Sequence, residues 1–492
     1  MLGRKTFLSV ISLLFIRLIQ GIILIFAVNR FLPIEFGYVT VAQSLLAFFL
    51  FFSDLNLSTV HLKLMAEEEE KSVAFSTYFF LKIFLIIISS ITFIFIIFFS
   101  LNSNLITNNQ NQISIIIVVF VDRFIISMLM VYNYSFQATF KIAKKEVATI
   151  IGQILGLIFG LISILILNNF ILYLVNTIIS NIFALSISIY YGRDFKLTKI
   201  KKDLLVRYFK LDLVFILPFF LSVLISNLGP LIFLQYYNEE LLGVFNVITS
   251  FFIMIKGIEQ VFRSLLIPKF SQLYKNNQLD EIRKSIALFE KYTAILNGII
   301  IVIGIFFADY FLKLLFGQIY FENGLFLYFG YLLSLISFSL FGPYTPLIVV
   351  LEKFKVYAFN LFISLIFSIT SWILLLPILN ILAINLGSWI SIIPQTIFIR
   401  YYCFKYFKTG KMKLNNALNL VVIFSMIFVS FYVFSLNLSL LLRIFISSFI
   451  LILYLGFLIY TKILTRDDLT YFMNVINPKK MLDYIKEETI ND

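Results

Sequence analysis

Nine residues of this sequence combine chemically useful side chains with suggestive spacing: Arg17, Gln20, Gln43, Asp54, Asp122, Lys256, Glu259, Gln260 and Arg263. All lie within long apolar runs. The stretch LLFIRLIQGIILIF (residues 13–26) carries a permanent cation at its centre. Charge at membrane depth costs roughly 2.5–3.5 kcal/mol per residue on insertion scales, so it persists where it faces water or meets a partner. At about 100° per residue, Thr6, Ser9, Arg17 and Gln20 fall within about an 80° arc of one helix, which makes a polar stripe. Arg17 stands about 16 Å deep at roughly 1.5 Å per residue, too far for its side chain to reach the surface. Such a stripe places Arg17 toward a water-accessible interior.

The same geometry recurs. Thr40, Gln43, Asp54, Ser58 and His61 lie within about 60° of one another if their span is one helix. Asn246, Ser250, Lys256, Gln260, Arg263 and Ser264 share a broad face of a later span, with Glu259 at its edge. Glu259 is three residues after Lys256 and four before Arg263, so these charges also fit an intrahelical ladder. Asp122 and Arg123 project about 100° apart and call for partners on other helices. Asp54, Glu259 and Asp122 are the candidate ion-coupling acids. His61 and Lys63, near a span end, are expected to reach the cytoplasmic surface.

The elements that position these residues are membrane spans. Of 492 residues, 61% are hydrophobic and 13% charged, with mean hydropathy +0.99. A soluble domain cannot bury that much apolar surface. Runs of about 20 apolar residues recur at 6–31, 38–62, 75–100, 113–136, 148–168, 170–191, 211–235, 241–268, 292–316, 323–350, 357–378, 380–403, 416–437 and 440–463, which predicts fourteen transmembrane helices. With the N-terminus inside, nearly all basic residues fall in alternate loops. The linkers RDFKLTKIKKDLLVRYFK (193–210) and KYFKTGKMKLNN (405–416) are the most basic. This alternation predicts a multi-pass protein of the cytoplasmic membrane with both termini cytoplasmic. The first apolar run reads as a retained span, not a cleaved signal.

The linkers divide the chain into a six-span lobe at 1–209, a second at 210–404, two further spans at 405–464 and a cytoplasmic tail at 465–492. The lobes resemble each other: GYVTVAQSLLAFFLFFSDLNLSTVHLKL from Gly37 aligns with GVFNVITSFFIMIKGIEQVFRSLLIPKF from Gly243. Internal repeats of this kind are common in secondary transporters.

Absences narrow the function. One cysteine and one histidine exclude an internal disulfide and a cysteine-based metal site. No metal or other cofactor is expected. There is no GxxxxGK[ST] phosphate loop, hence no built-in ATPase. The net charge of +13 follows from the basic cytoplasmic loops and calls for no nucleic-acid partner. Short, acid-poor outer loops leave no room for a catalytic loop, so no enzyme is expected.

The arrangement of six plus six plus two spans resembles the polysaccharide flippases (Wzx type) of the multidrug/oligosaccharidyl-lipid/polysaccharide (MOP) superfamily. FLPIEFGYVTVAQSLLAFFLFFSDLNLS (31–58) is similar to the family's first outer loop and second span. IEQVFRSLLIPKFSQLY (258–274) is similar to the end of span eight, and LLFGQIYFENGLFL (314–327) to the loop after span nine. Residues 343–391 resemble spans ten to twelve, although the family's Gly-rich segment appears as LNILAINLGSW with only Gly387 kept. The resemblance implies an all-α, V-shaped pair of six-helix lobes around a cationic cavity. It implies a substrate in the form of a polyprenyl-(di)phosphate-linked glycan, flipped by alternating access. It places cations in the first and eighth spans, where Arg17 and Lys256 stand, with Arg263 nearer the inner end. The partners it implies are that glycan, membrane lipids, an H+ or Na+ gradient and glycan-assembly proteins. Two other functions fit parts of the pattern. A multidrug antiporter of the same superfamily would need an acid-dominated site, and a polytopic glycan polymerase or ligase would need larger outer loops.

Overall fold

The computed structural model describes residues 2–102, 109–408, 414–436 and 438–465. Most of them are helical, and no strand occurs among them. Fourteen segments are long and apolar enough to cross a membrane. Outward faces leave Phe95, Phe98, Phe99, Leu441 and Phe445 exposed, an arrangement that suits a lipid surrounding and not water. The chain is a multi-pass, all-helical membrane protein.

The described residues form two compact units. The first holds the residues up to Ser250 together with Leu376–Ile384. Its helices are α1 (Leu2–Val28), α2 (Pro33–Asp54), α3 (Leu57–Glu67), α4 (Lys71–Asn102), α5 (Gln110–Ala138), α6 (Ile142–Leu165), α7 (Phe170–Tyr191), α8 (Lys202–Leu234) and the first part of α9 (Glu239–Lys275). Pro33 opens α2 at a position where its missing N–H costs nothing, and the Glu35 carboxylate accepts a hydrogen bond from the Leu32 N–H at 3.0 Å. The second span is not one helix. Leu55 and Asn56 both adopt left-handed backbone, with φ of 46° and 73°, and they separate α2 from α3. A leucine in that region costs about 1–2 kcal/mol, which the burial of Leu57, Val60 and Leu64 beyond the break offsets.

Helices α6 and α7 pack closely together. A Cβ on Gly156 would lie 1.8 Å from the Ser180 hydroxyl, and one on Gly152 would lie 2.3 Å from the Ser180 carbonyl. Small residues four apart let the backbones approach where lipid supplies no hydrophobic drive. Against α6 lies α1, pinned by the Ser12 hydroxyl donating to the Glu146 carboxylate at 2.6 Å.

The second unit holds the remaining described residues: the rest of α9, then α10 (Leu279–Phe306), α11 (Ala308–Phe316), α12 (Gln318–Phe341), α13 (Tyr344–Val350), most of α14 (Phe354–Leu379) and of α15 (Leu382–Phe407), α16 (Leu414–Ser435) and α17 (Leu440–Tyr460). Its core gathers Phe270, Ile282, Ile286, Phe289, Tyr344 and Ile399. Glu290 is buried there. Arg400 reaches it at 3.0 Å, and the Tyr344 hydroxyl donates to it at 2.9 Å, which ties α10, α13 and α15 together. Arg443, buried in α17, pairs with Asp309 of α11 at 2.7 Å.

Candidate functional site

Arg17 is half-buried on α1. Its Nη1 donates to the Gln20 side-chain oxygen at 3.0 Å, and the Gln20 amide nitrogen donates to Gln153 of α6 at 3.5 Å. The Nε of Arg17 is buried without a hydrogen-bond partner. Among the described residues no carboxylate pairs with Arg17. Three polar side chains in a row on α1 and α6 thus leave a guanidinium with unused N–H donors, the geometry that accepts a phosphate oxygen. The side chains of Thr6 and Ser9, the outer members of the stripe, lie outside the described residues.

Asp54 and Asp122, the acids that could have neutralised Arg17, are engaged elsewhere in the same unit. Asp54 forms an ion pair with Lys82 of α4 and accepts from the Ser58 hydroxyl at 2.5 Å. Ser58 in turn lies 2.7 Å from the Tyr78 hydroxyl. Lys82 is wholly buried. Asp122 accepts from Asn181 of α7 at 2.8 Å, with the Arg123 guanidinium 3.9 Å away. Gln43 is exposed on α2.

His61 does not reach the surface. It is fully buried, stacked on Tyr78 with centroids 4.0 Å apart, and bonded to the Tyr208 hydroxyl at 2.7 Å and the Ser135 hydroxyl at 2.9 Å. Its position on the far side of the Leu55–Asn56 break turns it into the packing between α3, α5 and α8. Burial, with Glu68 adding to it, pushes the Tyr208 hydroxyl far above its ordinary pKa, so it remains a neutral partner for the imidazole. Four residues further along α8, on the same face, Asp212 is also buried, and its Oδ1 has no hydrogen-bond partner.

In the second unit, the Lys256 ammonium lies over the Tyr331 ring, 5.5 Å from its centroid. That ring stacks on Phe252 at 5.3 Å. The Arg263 guanidinium donates to the Tyr357 hydroxyl. The side chains of Glu259 and Gln260 lie outside the described residues. No group of three or more His, Cys, Asp or Glu side chains suited to a metal occurs among the described residues.

Sequence reasoning missed Lys82, Glu290 with Arg400, and Asp212. Lys82 left a signal, being a lone cation in the apolar run FFLKIFLIIISS. Arg400 left a similar one. Asp212 and Glu290 sit at span ends, where an acid reads as a solvated residue.

The geometry is that of a membrane-embedded helical protein whose first helix carries an arginine bonded to Gln20 and, among the described residues, to no carboxylate. A family model described as polysaccharide biosynthesis protein matches residues 27–323, more than half of the sequence. The chain belongs to that family. Its fold is similar to that of the lipid II flippase MurJ in an inward closed conformation, with a TM-score of 0.74 at 14% identity, covering 93% of this chain and 100% of that one. It is also similar to a multidrug resistance MATE family transporter of the MOP superfamily in an outward-facing conformation, with a TM-score of 0.58 at 14% identity, covering 83% and 97%. A third similar structure is a MOP superfamily transporter from Pyrococcus furiosus (Vc1, DSM3638), whose binding pocket is described as having reverse polarity. There the TM-score is 0.55 at 12% identity, covering 83% and 97%. No protein of curated function matches the sequence. The fold is that of the MOP-superfamily transporters.

Proposed function

We propose that this protein flips a polyprenyl-(di)phosphate-linked oligosaccharide from the inner to the outer leaflet of the cytoplasmic membrane by alternating access, supplying surface polysaccharide or glycan synthesis. The observation that carries this reading is Arg17. It is deep in the first span, free of any carboxylate among the described residues, and aligned with Gln20 and Gln153. The guanidinium would take the lipid-linked phosphate in a two-pronged hydrogen bond, and the glutamines would meet sugar hydroxyls. In the second unit Lys256 and Arg263 would add positive charge. Membership of a polysaccharide biosynthesis family and a fold shared with a lipid II flippase support the substrate class.

An organic-cation antiporter of the same superfamily is the second reading. The pairing of Asp54 with Lys82 and of Asp122 with Asn181 disfavours it, because these carboxylates are occupied while the arginine, bonded only to Gln20, meets no carboxylate among the described residues. Energy from an H+ or Na+ gradient and contact with glycan-assembly proteins belong to the same proposal.

Reconstitution tests it. Proteoliposomes carrying a short polyprenyl-diphosphate glycan labelled on its sugar should expose the label to an external lectin faster than empty liposomes do. Protein-independent exposure, alongside saturable uptake of an organic cation, would replace the first reading with the second.

A further inference from the structure

We propose that a phosphate-bearing membrane-lipid headgroup binds in a basic pocket where α10, α16 and α17 meet, and that this site is separate from the transport residues. The cavity measures about 350 Å³ and is lined by Lys284, Lys291, Lys462, Asn415, Asn416 and Leu288 among others, with no acidic side chain in its wall among the described residues.

The pocket is formed by the way the three helices end. Lys284 and Lys291 are seven residues apart on α10, hence on one face and separated by roughly 10 Å along the axis. Between them, the Ala287 carbonyl accepts from Asn416 at 3.0 Å, which clamps the start of α16 onto α10. Beyond the end of α17 the chain turns: Lys462 adopts φ of 55°, with its N–H bonded to the Ile459 carbonyl at 3.0 Å. This turn brings a third ammonium to the cavity. Lys284 also pairs with Glu281 at 2.6 Å. That pair is exposed, and exposed pairs of this kind are weak enough to exchange for a better anion. Lys291 lies over the Tyr292 ring, 4.6 Å from its centroid.

Three ammonium groups and the Asn415 amide line one cavity and fit a phosphate: the first supply charge and the second a hydrogen-bond donor, while the Asn416 amide is held by the Ala287 carbonyl. The surroundings favour a lipid source over a free anion. Leu288 lines the pocket, and Leu414, Leu418, Ile459 and Tyr460, on the two helix ends that form it, are exposed. A headgroup bound there would lay its acyl chains along apolar helix faces. Basic pockets at the ends of spans recognise anionic headgroups in this way, with each lysine contributing to affinity. The inference does not depend on what the protein transports.

Native mass spectrometry of the full chain in detergent tests it, with phosphatidylglycerol, diacylglycerol and inorganic phosphate as probes. Wild-type protein should retain phosphatidylglycerol but not diacylglycerol. The variant Lys284→Gln/Lys291→Gln/Lys462→Gln should bind phosphatidylglycerol about tenfold or more weakly, whereas Lys196→Gln/Lys199→Gln/Lys202→Gln should bind it like the wild type. Should the triple variant melt early, Lys462→Gln alone, on an exposed side chain past the end of α17, should still weaken binding severalfold. Equal binding by wild type and pocket variants, or equal retention of diacylglycerol, would overturn the proposal. Lysine-dependent binding of inorganic phosphate that displaces phosphatidylglycerol at matched concentration would overturn the lipid assignment.

Discussion

Gly37 and Gly243 occupy reciprocal positions where the N-terminal turns of α2 and α9 cross. A Cβ on Gly37 would lie 1.9 Å from the Glu239 carbonyl oxygen, and one on Gly243 would lie 1.7 Å from the Pro33 carbonyl oxygen. Glu239 is four residues before Gly243, and Pro33 is four before Gly37. Each glycine therefore receives the backbone one turn ahead of the other. The Thr40 hydroxyl, which lies 3.3 Å from the Leu242 carbonyl, strengthens the crossing. Each glycine is the fifth residue of its helix.

That reciprocity makes a non-additive prediction. Gly37→Ala and Gly243→Ala should each destabilise the protein by about 1–3 kcal/mol, because the obstacle in each case is backbone and cannot rotate away. Both clashes are relieved by one separation of α2 from α9, so the double variant should cost little more than the worse single one. Melting temperatures of the three variants in detergent check this. Fully additive losses would mean that the two contacts are independent.

The pair Asp54–Lys82 should behave as one unit. Lys82→Met leaves the Asp54 carboxylate buried and short of its counter-charge, a loss of about 3–5 kcal/mol. Asp54→Asn strands the lysine at similar cost. Asp54→Asn combined with Lys82→Met removes both charges, leaves the Ser58 hydroxyl a partner, and should recover most of the stability. A double-mutant cycle from thermal unfolding reads the coupling, and a coupling near zero would show that the two residues act separately.

Much of the fold was legible because lipid imposes a simple rule. Fourteen runs of about 20 apolar residues map onto fourteen span-length helical segments. The polar stripe of Arg17 and Gln20 was legible for the same reason, since both lie on a single uninterrupted helix whose period is known. The break at Leu55–Asn56 was not, because a left-handed leucine is paid for by packing beyond it and leaves no local mark. With that break, His61 leaves the ideal-helix projection and enters a buried stack with Tyr78 and Tyr208. The Asp54–Lys82 and Glu290–Arg400 pairs join residues 28 and 110 positions apart, and pairing across helices follows from tertiary packing, not from periodicity.

Orientation in the membrane can be read from one pair of engineered cysteines. The native Cys403 is buried, so an impermeant maleimide should leave the wild type unlabelled. Gln235 and Lys201 are both exposed, and the distribution of basic loops places Gln235 outside and Lys201 inside. Gln235→Cys should be labelled in intact cells, and Lys201→Cys only after permeabilisation. The reverse pattern would invert the topology, and labelling of both in intact cells would remove the assumed crossings between them.

Arg17 separates a transport role from a structural one. If it were the counter-charge of Asp54 or Asp122, its loss would leave a buried carboxylate unpaired and destabilise the protein by several kcal/mol, and removing that acid as well would restore it. The observed pairings give the opposite expectation. Asp54 is held by Lys82 and Ser58, Asp122 by Asn181, and Arg17 itself by Gln20. Arg17→Ala should then cost only about 0.5–1.5 kcal/mol for one lost hydrogen bond, and neither Asp54→Ala nor Asp122→Ala should rescue it. Under the proposed function glycan export should nevertheless collapse, because the cation proposed to neutralise the lipid-linked phosphate is gone. Arg17→Lys should retain part of the export, since the charge survives while the forked, two-pronged geometry does not. The readouts are surface glycan in cells that depend on the variant, and its melting temperature in detergent. Normal export by Arg17→Ala would remove Arg17 from the substrate path, whereas a large loss of stability rescued by either acid variant would make it a structural partner.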